Sequence, residues 1–202
     1  MVTSSTEAYS SANQRKYTHK SRLYKWHVDA FLQEIYHLLA QTEAQSVLDA
    51  GCGEGFVTHY LAQQNPALRL TGMDLNPEAI AYAQDHFGDV AHFRTGSLYK
   101  LPFSDNSFDL VVCSEVLEHL EDTERAVSEL KRVARRHVLI TVPREPYFKW
   151  LNDLSRAVGI SPDPGHVNFW TKTTFQTFIN SHFSAPVFAW KHIVYQMALA
   201  EV

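Results

Sequence analysis

Cysteine is scarce in this chain: two in 202 residues, too few for a disulfide framework or a thiolate zinc site. Both, Cys52 and Cys113, fall in or just after apolar segments of the expected core, as suits a reducing compartment. No apolar run approaches the ~18 residues needed to span a bilayer. The first residues lack the apolar stretch of a secretory leader. Charge is nearly balanced, with 18 basic and 22 acidic side chains and a net charge of −4. Such a surface exerts no general pull on nucleic acid or anionic membranes. There is no internal repeat and no linker marking a second domain. With 45% hydrophobic residues, the chain is expected to be one soluble, cytoplasmic domain with a substantial core. Oligomeric state has no readable signature.

Glycine is also sparse. Of eight glycines, three stand at positions 51, 53 and 55. They follow Val47-Leu48-Asp49-Ala50, a short apolar run that reads as a buried strand. A strand ending in Asp-x-Gly-x-Gly-x-Gly leaves the main chain open to close approach by a ligand. The helix expected next offers free N–H groups and the positive end of its dipole. Residues Asp49, Ala50, Gly51, Cys52, Gly53 and Gly55 therefore form a candidate cofactor loop. A dinucleotide fingerprint requires a third glycine that packs helix on strand. Phe56 occupies that position here, which argues against a nicotinamide dehydrogenase.

About 20 residues further on, Leu70-Thr71-Gly72-Met73-Asp74 reads as a second strand ending in an acid, the place where doubly wound nucleotide sites bind ribose hydroxyls. A carboxylate accepts two hydrogen bonds from a 2′,3′-diol. Asn76-Pro77-Glu78 reads as a helix start with Asn76 as cap, leaving Asp74 for a ligand. Later come Gly96-Ser97-Leu98-Tyr99-Lys100-Leu101-Pro102-Phe103 and Ser107-Phe108-Asp109-Leu110-Val111-Val112-Cys113-Ser114.

These four blocks, in this order over about residues 43 to 145, resemble the motifs of the class I S-adenosylmethionine (SAM) methyltransferases. The likeness is to the broad small-molecule, type 11-like group that includes ubiquinone- and menaquinone-biosynthesis enzymes. The resemblance implies SAM as cofactor. Asp49 and the glycine loop would hold its methionine part and Asp74 its ribose, with Asn76 also counted in the cofactor site. Leu75 and Leu98 would flank the adenine, with Gly96, Ser97 and Ser114 completing the site. Ser97 departs from the family pattern, where an acid often meets the adenine amino group.

Apolar periodicity predicts a helix over residues 22–40, with Leu23, Trp26, Phe31, Ile35, Leu38 and Leu39 on one stripe. Strands are expected near 45–50, 68–73, 89–94, 108–113 and 136–142, and helices near 56–64, 77–86, 122–134, 146–158 and 171–182. The tail from Pro186 to Glu201 reads as two strands around Trp190-Lys191-His192. The alternation predicts an α/β, Rossmann-like, doubly wound seven-stranded mixed sheet with an antiparallel C-terminal hairpin. Residues 1–21 are expected to be a mobile segment or lid, and 22–202 the single domain.

A second constellation follows the fourth strand, in Ser114-Glu115-Val116-Leu117-Glu118-His119. One helical turn there would bring Glu115, Glu118 and His119 to one side. His166 lies in a later Pro/Gly loop, Pro164-Gly165-His166-Val167-Asn168. Two carboxylates and two imidazoles suit Mg²⁺ or Mn²⁺. Glu-x-x-Glu-His with a downstream His is similar to two metal-dependent O-methyltransferase groups, the small-RNA 3′-terminal 2′-O-methyltransferases and the ubiquinone-biosynthesis O-methyltransferases. The other reading makes Glu118 and His119 residues that cap and pack the following turn and His166 a loop hydrogen-bond donor.

The resemblance also implies substrate contacts around Arg144, Glu145, Tyr147 and Trp150, which alternatively form a helix start with an exposed aromatic face. Lys20, Arg22 and Lys25 are candidate partners for the SAM carboxylate if the N-terminal segment folds over the site as a lid; the other reading makes at least two of them scattered surface cations. The basic run Lys131, Arg132, Arg135, Arg136 and His137 complements a helix end. The expected activity is methyl transfer to a small-molecule acceptor, which on the metal reading is a hydroxyl bound at the divalent ion, with His119 nearest the nucleophile as either base or ligand. The alternatives are a metal-dependent RNA-end 2′-O-methyltransferase-like enzyme and a non-catalytic SAM-binding protein. Acidic balance disfavours nucleic acid as a partner.

Overall fold

The computed structural model describes residue 17 and residues 22–150, 165–190 and 193–202. The remainder of the 1–21 segment, Lys20, the second half of the helix expected over 146–158, Pro164, Lys191 and His192 lie outside the described residues, as does the side chain of Leu23.

Parallel strands buried on both faces need near-continuous apolar sequence, and the first strand supplies it. β1 (Ser46–Ala50) is buried from Val47 onward and pairs in parallel with β2 (Arg69–Asp74) and β4 (Phe108–Ser114). β3 (His92–Thr95) adds to β2 and β5 (Ala134–Pro143) adds to β4, both in parallel. The tail turns back as β6 (Ser184–Ala189) and β7 (Tyr195–Glu201), and β7 pairs antiparallel with both β5 and β6. The sheet has seven strands in the order β3-β2-β1-β4-β5-β7-β6, the mixed sheet the sequence predicts.

Period-two alternation along the strands divides the core into two layers. Val47, Leu110, Val112 and Leu139 point to one face, where they meet α1 (Arg22–Leu39), α2 (Phe56–Gln64) and α3 (Pro77–Phe87). Leu48, Val111, Cys113, Val138 and Ile140 point to the other, against α4 (Thr123–Val133) and α5 (Lys172–His182). Phe31, Ile35, Leu38 and Leu39 form the buried stripe of α1. Trp26 does not join it: the sequence places it on the stripe, yet it is 67% exposed. It stands in the first turns of α1, beside His27, whose ring lies 5.6 Å from Tyr195 at the start of β7.

Helix boundaries follow local chemistry. Asn76 caps α3 by accepting from the Glu78 N–H, with Pro77 at the first position. Asp122 caps α4, and Thr171 and Thr174 form a reciprocal capping box on α5. β3 begins three residues later than expected because Val90 and Ala91 still bond back to Phe87.

The Asp109 carboxylate ties β1 to β4. It accepts from the Gln45 and Ser46 N–H groups and the Ser46 hydroxyl, and also from Arg135. Burial works to raise its pKa, but these donors win and hold it at about 2. Both cysteines are buried and free. Among the described residues no helix is long and apolar enough to cross a membrane.

Candidate active site

All five parallel strands end on the same edge, where ligands of open α/β sheets bind. At the end of β1, Gly51, Gly53 and Gly55 have φ of 87°, 52° and 82°, values that L side chains resist. A Cβ on Gly51 would lie 2.4 Å from Val116 Cγ2. The loop is fastened from β2: the Met73 carbonyl accepts from the Gly51 and Cys52 N–H groups at 2.7 and 3.0 Å. Asp74 Oδ2 accepts from the Gly53 N–H and Oδ1 from the Asn76 N–H, each at 2.8 Å. Each oxygen keeps a further lone pair, so the carboxylate that shapes the loop retains capacity for a diol. Gly55 begins α2 without a side-chain cap, which leaves that dipole end open to an anion.

Asp49 is almost wholly buried, and Thr58 of α2 donates its hydroxyl to Oδ2 at 2.5 Å. Burial raises the Asp49 pKa to about 6, against the lowering effect of the Thr58 bond and with a further upward push from Asp74. Burial also drives the Cys52 thiol well up, helped by Asp49 and Asp74.

On the adenine side, Gly96 donates its N–H to the Asp74 carbonyl at 2.9 Å. Ser97 Oγ accepts from the Tyr99 N–H at 3.2 Å. Leu75 is 70% exposed, whereas Leu98 is buried in the core. The Asn76 side chain is engaged in capping α3.

The segment after β4 differs from a single helical turn. Glu115 has φ of 57° and donates its N–H to the Thr141 carbonyl, extending the β4–β5 ladder. Only Leu117–His119 is helical, as a 3₁₀ turn. Glu118, His119 and His166 nevertheless converge: one ligand atom from each lies within 4.8 Å of the others. Glu115 is not in that set. Its carboxylate accepts from the Thr141 hydroxyl at 3.2 Å, and Thr141 in turn lies 3.0 Å from Ser114 Oγ.

The partner that brings His166 to Glu118 is Asn168, to which the sequence reading gave no role. Its amide donates to the Leu117 and Leu120 carbonyls at 2.9 and 2.6 Å. The N–H groups of Val167 and Asn168 both donate to the Glu118 carbonyl. His166 also stacks on Phe148, ring centres 5.0 Å apart, and lies 4.8 Å from the His119 ring. Thr58, Thr141 and Asn168 carry no motif signal, since each acts by a contact distant in sequence. Arg22 and Lys25 are both exposed near the start of α1.

Residues 48–142 match the family described as methyltransferase domain. The demethylmenaquinone methyltransferase of Thermotoga maritima is 28% identical over 122 residues, covering 60% of this chain and 53% of that protein. The chain spans 27 to 53% of the length of the curated relatives it matches. Among solved structures, the methyltransferase domain of bacterial CtHen1 superposes with a TM-score of 0.69 at 20% identity, over 87% of this chain and 99% of that one. Magnesium protoporphyrin IX methyltransferase from Synechocystis, solved with bound S-adenosylhomocysteine (SAH), gives 0.66 at 18% identity, over 96% and 89%. With the glycine loop, the acid of β2 and the seven-stranded order in place, residues 48–142 form a methyltransferase domain of the class I SAM-dependent kind.

Proposed function

We propose that the protein transfers the sulfonium methyl of SAM to an oxygen of a small-molecule acceptor, whose hydroxyl is bound at a divalent ion. Glu118, His119 and His166 would hold that ion, Mg²⁺ or Mn²⁺. The observation that carries this reading is the convergence of these three ligand atoms within 4.8 Å, from segments 47 residues apart in sequence. Ligand bonds of ~2.0–2.6 Å place such atoms around one ion after small side-chain rotations. Glu118 is 1% exposed, and a carboxylate so buried favours a cation beside it. The ion would supply Lewis acidity, lowering the pKa of a bound hydroxyl and orienting its oxygen.

The chain's own residues supply the rest. Asp74 and the glycine loop hold the cofactor, and Asp49 and Thr58 fix the start of α2 beneath it. The acceptor oxygen attacks the methyl carbon in line with the C–S bond. That bond breaks with its electron pair going to sulfur, leaving SAH, and the hydroxyl proton passes to water, because His119 would spend its ring lone pair on the ion. Because the sulfonium is already an activated donor, orientation and deprotonation are what the protein contributes.

The test is a calorimetric titration of Mg²⁺ and Mn²⁺ into SAH-saturated protein, beside a Glu118→Ala, His166→Ala variant. Saturable binding that the variant loses is the expected result. No binding to either protein would retire the metal, assign these side chains to packing, and reopen transfer to nitrogen, carbon or carboxylate.

A further inference from the structure

The sheet stops one strand beyond the acid of β2. β3 is its last strand, so a ligand laid along the strand ends from β1 past β2 meets the residues after β3 and then solvent. Those residues form the turn 96–100. Gly96 donates its N–H to the Asp74 carbonyl at 2.9 Å, which sets the turn directly beside that acid. Leu75, the residue after Asp74, is 70% exposed and offers a bare apolar face there.

The turn is firmly fastened, and most of its polar groups are taken. The Lys100 N–H donates to the Ser97 carbonyl at 3.1 Å, and the Tyr99 N–H donates to Ser97 Oγ at 3.2 Å. From the start of α4, Arg125 Nε donates to the Tyr99 carbonyl at 3.0 Å, and its guanidinium lies over the Tyr99 ring. The Asp122 N–H donates to the Tyr99 hydroxyl at 3.3 Å. Two groups are left over. The Leu98 N–H has no hydrogen-bond partner among the described residues. The half-buried Ser97 hydroxyl keeps its proton and one lone pair. Neither group is charged. Thr95 and Lys100, on either side, are exposed.

We infer that Ser97 makes this protein read the 6-position of the cofactor's base only weakly, so that it accepts cofactors in which that amino group is missing or carries a substituent. The inference rests on the cofactor placement proposed above, because a ribose held by Asp74 is what brings the base to Leu75 and residues 96–98. A purine there presents a ring-nitrogen acceptor beside an amino donor. The Leu98 N–H suits the ring nitrogen and orients the base. The amino group then meets the Ser97 hydroxyl. A neutral hydrogen bond of this kind contributes about two- to tenfold in affinity, against more than about tenfold for a bond to a carboxylate. With no strand outside β3, a substituent on the amino nitrogen runs past Thr95 and Lys100 into solvent.

The test is calorimetry with SAH, its 6-deamino analogue, its N6-benzyl analogue and its hypoxanthine analogue, on wild type and Ser97→Asp. Neither metal nor acceptor is present, so the outcome does not depend on an ion at Glu118. In the wild type the deamino and benzyl analogues should bind within about fivefold of SAH. The hypoxanthine analogue should lose more than about tenfold, because its ring N–H opposes the Leu98 N–H. A carboxylate in place of the hydroxyl still accepts from the Tyr99 N–H and leaves a charged oxygen for the amino group. Ser97→Asp should therefore raise the preference for SAH over the deamino analogue by more than about tenfold, at an unchanged melting temperature. A wild type that rejects the deamino or benzyl analogue by more than about fivefold overturns the inference, as does a variant with an unchanged preference. A hypoxanthine analogue bound as well as SAH also overturns it, since the base would then not be seated on residues 97 and 98. Asp74→Ala separates this failure from failure of the cofactor placement. SAH affinity that survives Asp74→Ala overturns both together, whereas a wild type that discriminates at the 6-position, with SAH affinity lost in Asp74→Ala, overturns the reading of Ser97 alone.

Discussion

The two halves of the strand-end row are built differently. On the β1–β2 side, backbone fastens backbone: three left-handed glycines are pinned by Met73 and Asp74, over a buried acid held by Thr58. On the β4–β5 side, side chains are brought together by a few bonds between residues 117–120 and 165–168, and the surroundings are exposed and apolar. The first half is specified by geometry that few residues can adopt. The second is an assembly of side chains that depends on the few bonds of Val167 and Asn168 to residues 117–120. A constant cofactor and a particular acceptor call for just such a division.

The sharpest way to break the comparison is Gly51→Ala. The methyl would meet Val116 at 2.4 Å on a backbone with φ of 87°. Left-handed strain and overpacking together cost a few kcal/mol, so SAH affinity should fall by more than about 100-fold. Calorimetry with SAH reads this directly. Adding Val116→Ala relieves the clash but not the φ, and should recover only part of the loss. An SAH affinity within twofold of wild type in Gly51→Ala would mean the glycine backbone is not where the cofactor binds.

Next in size is Asp49→Asn. The folded-state pKa of Asp49 is raised to about 6 from 3.8. Between those values the folded protein holds a proton that the unfolded chain has released. Stability therefore falls as pH rises through that window and stays lower above it, by about 3 kcal/mol at most. An amide has no charge to desolvate and still accepts from Thr58. The variant without ligand should be more stable than wild type at pH 7.5, by up to about 3 kcal/mol, with the gap closing toward pH 4. Urea unfolding at several pH values measures it. A variant less stable than wild type at pH 7.5 would show that burying this acid is not the cost of the cofactor end.

The same division explains what the sequence makes legible. Strands and helices of the β1–β4 half follow from local signals: Val47 to Ala50 running into glycines, Asn76-Pro77, and the period-two alternation that splits Leu110 to Cys113 between layers. Glu118, His119 and His166 were legible as a set because imidazoles beside carboxylates in loops have little packing reason. Their mode of assembly was not. Glu115 reads as one turn of helix with Glu118, but its N–H remains in the sheet ladder with Thr141, and no local propensity announces that. Trp26 fits a helical stripe by spacing alone, yet its turn overhangs the end of the sheet. Asn168 reads as a loop residue because its partners are some 50 positions away.

Asn168 is also where the two halves can be separated experimentally. Asn168→Ala removes both donors to the Leu117 and Leu120 carbonyls and leaves Glu118, His119 and His166 intact. If that clip sets the spacing of the cluster, Mn²⁺ affinity of the SAH complex should drop 10- to 100-fold, the usual effect of losing an outer positioning partner. SAH affinity should change by less than about twofold, because no cofactor-loop residue touches the amide. Asn168→Asp should be no better, since a carboxylate offers acceptors where two carbonyls need donors. Unchanged Mn²⁺ affinity would mean the backbone bonds from Val167 and Asn168 to Glu118 suffice to hold the loop. Equal losses for Mn²⁺ and SAH would mean that the acceptor end supports the cofactor end through Val116, which already touches Gly51, and that the two are one unit.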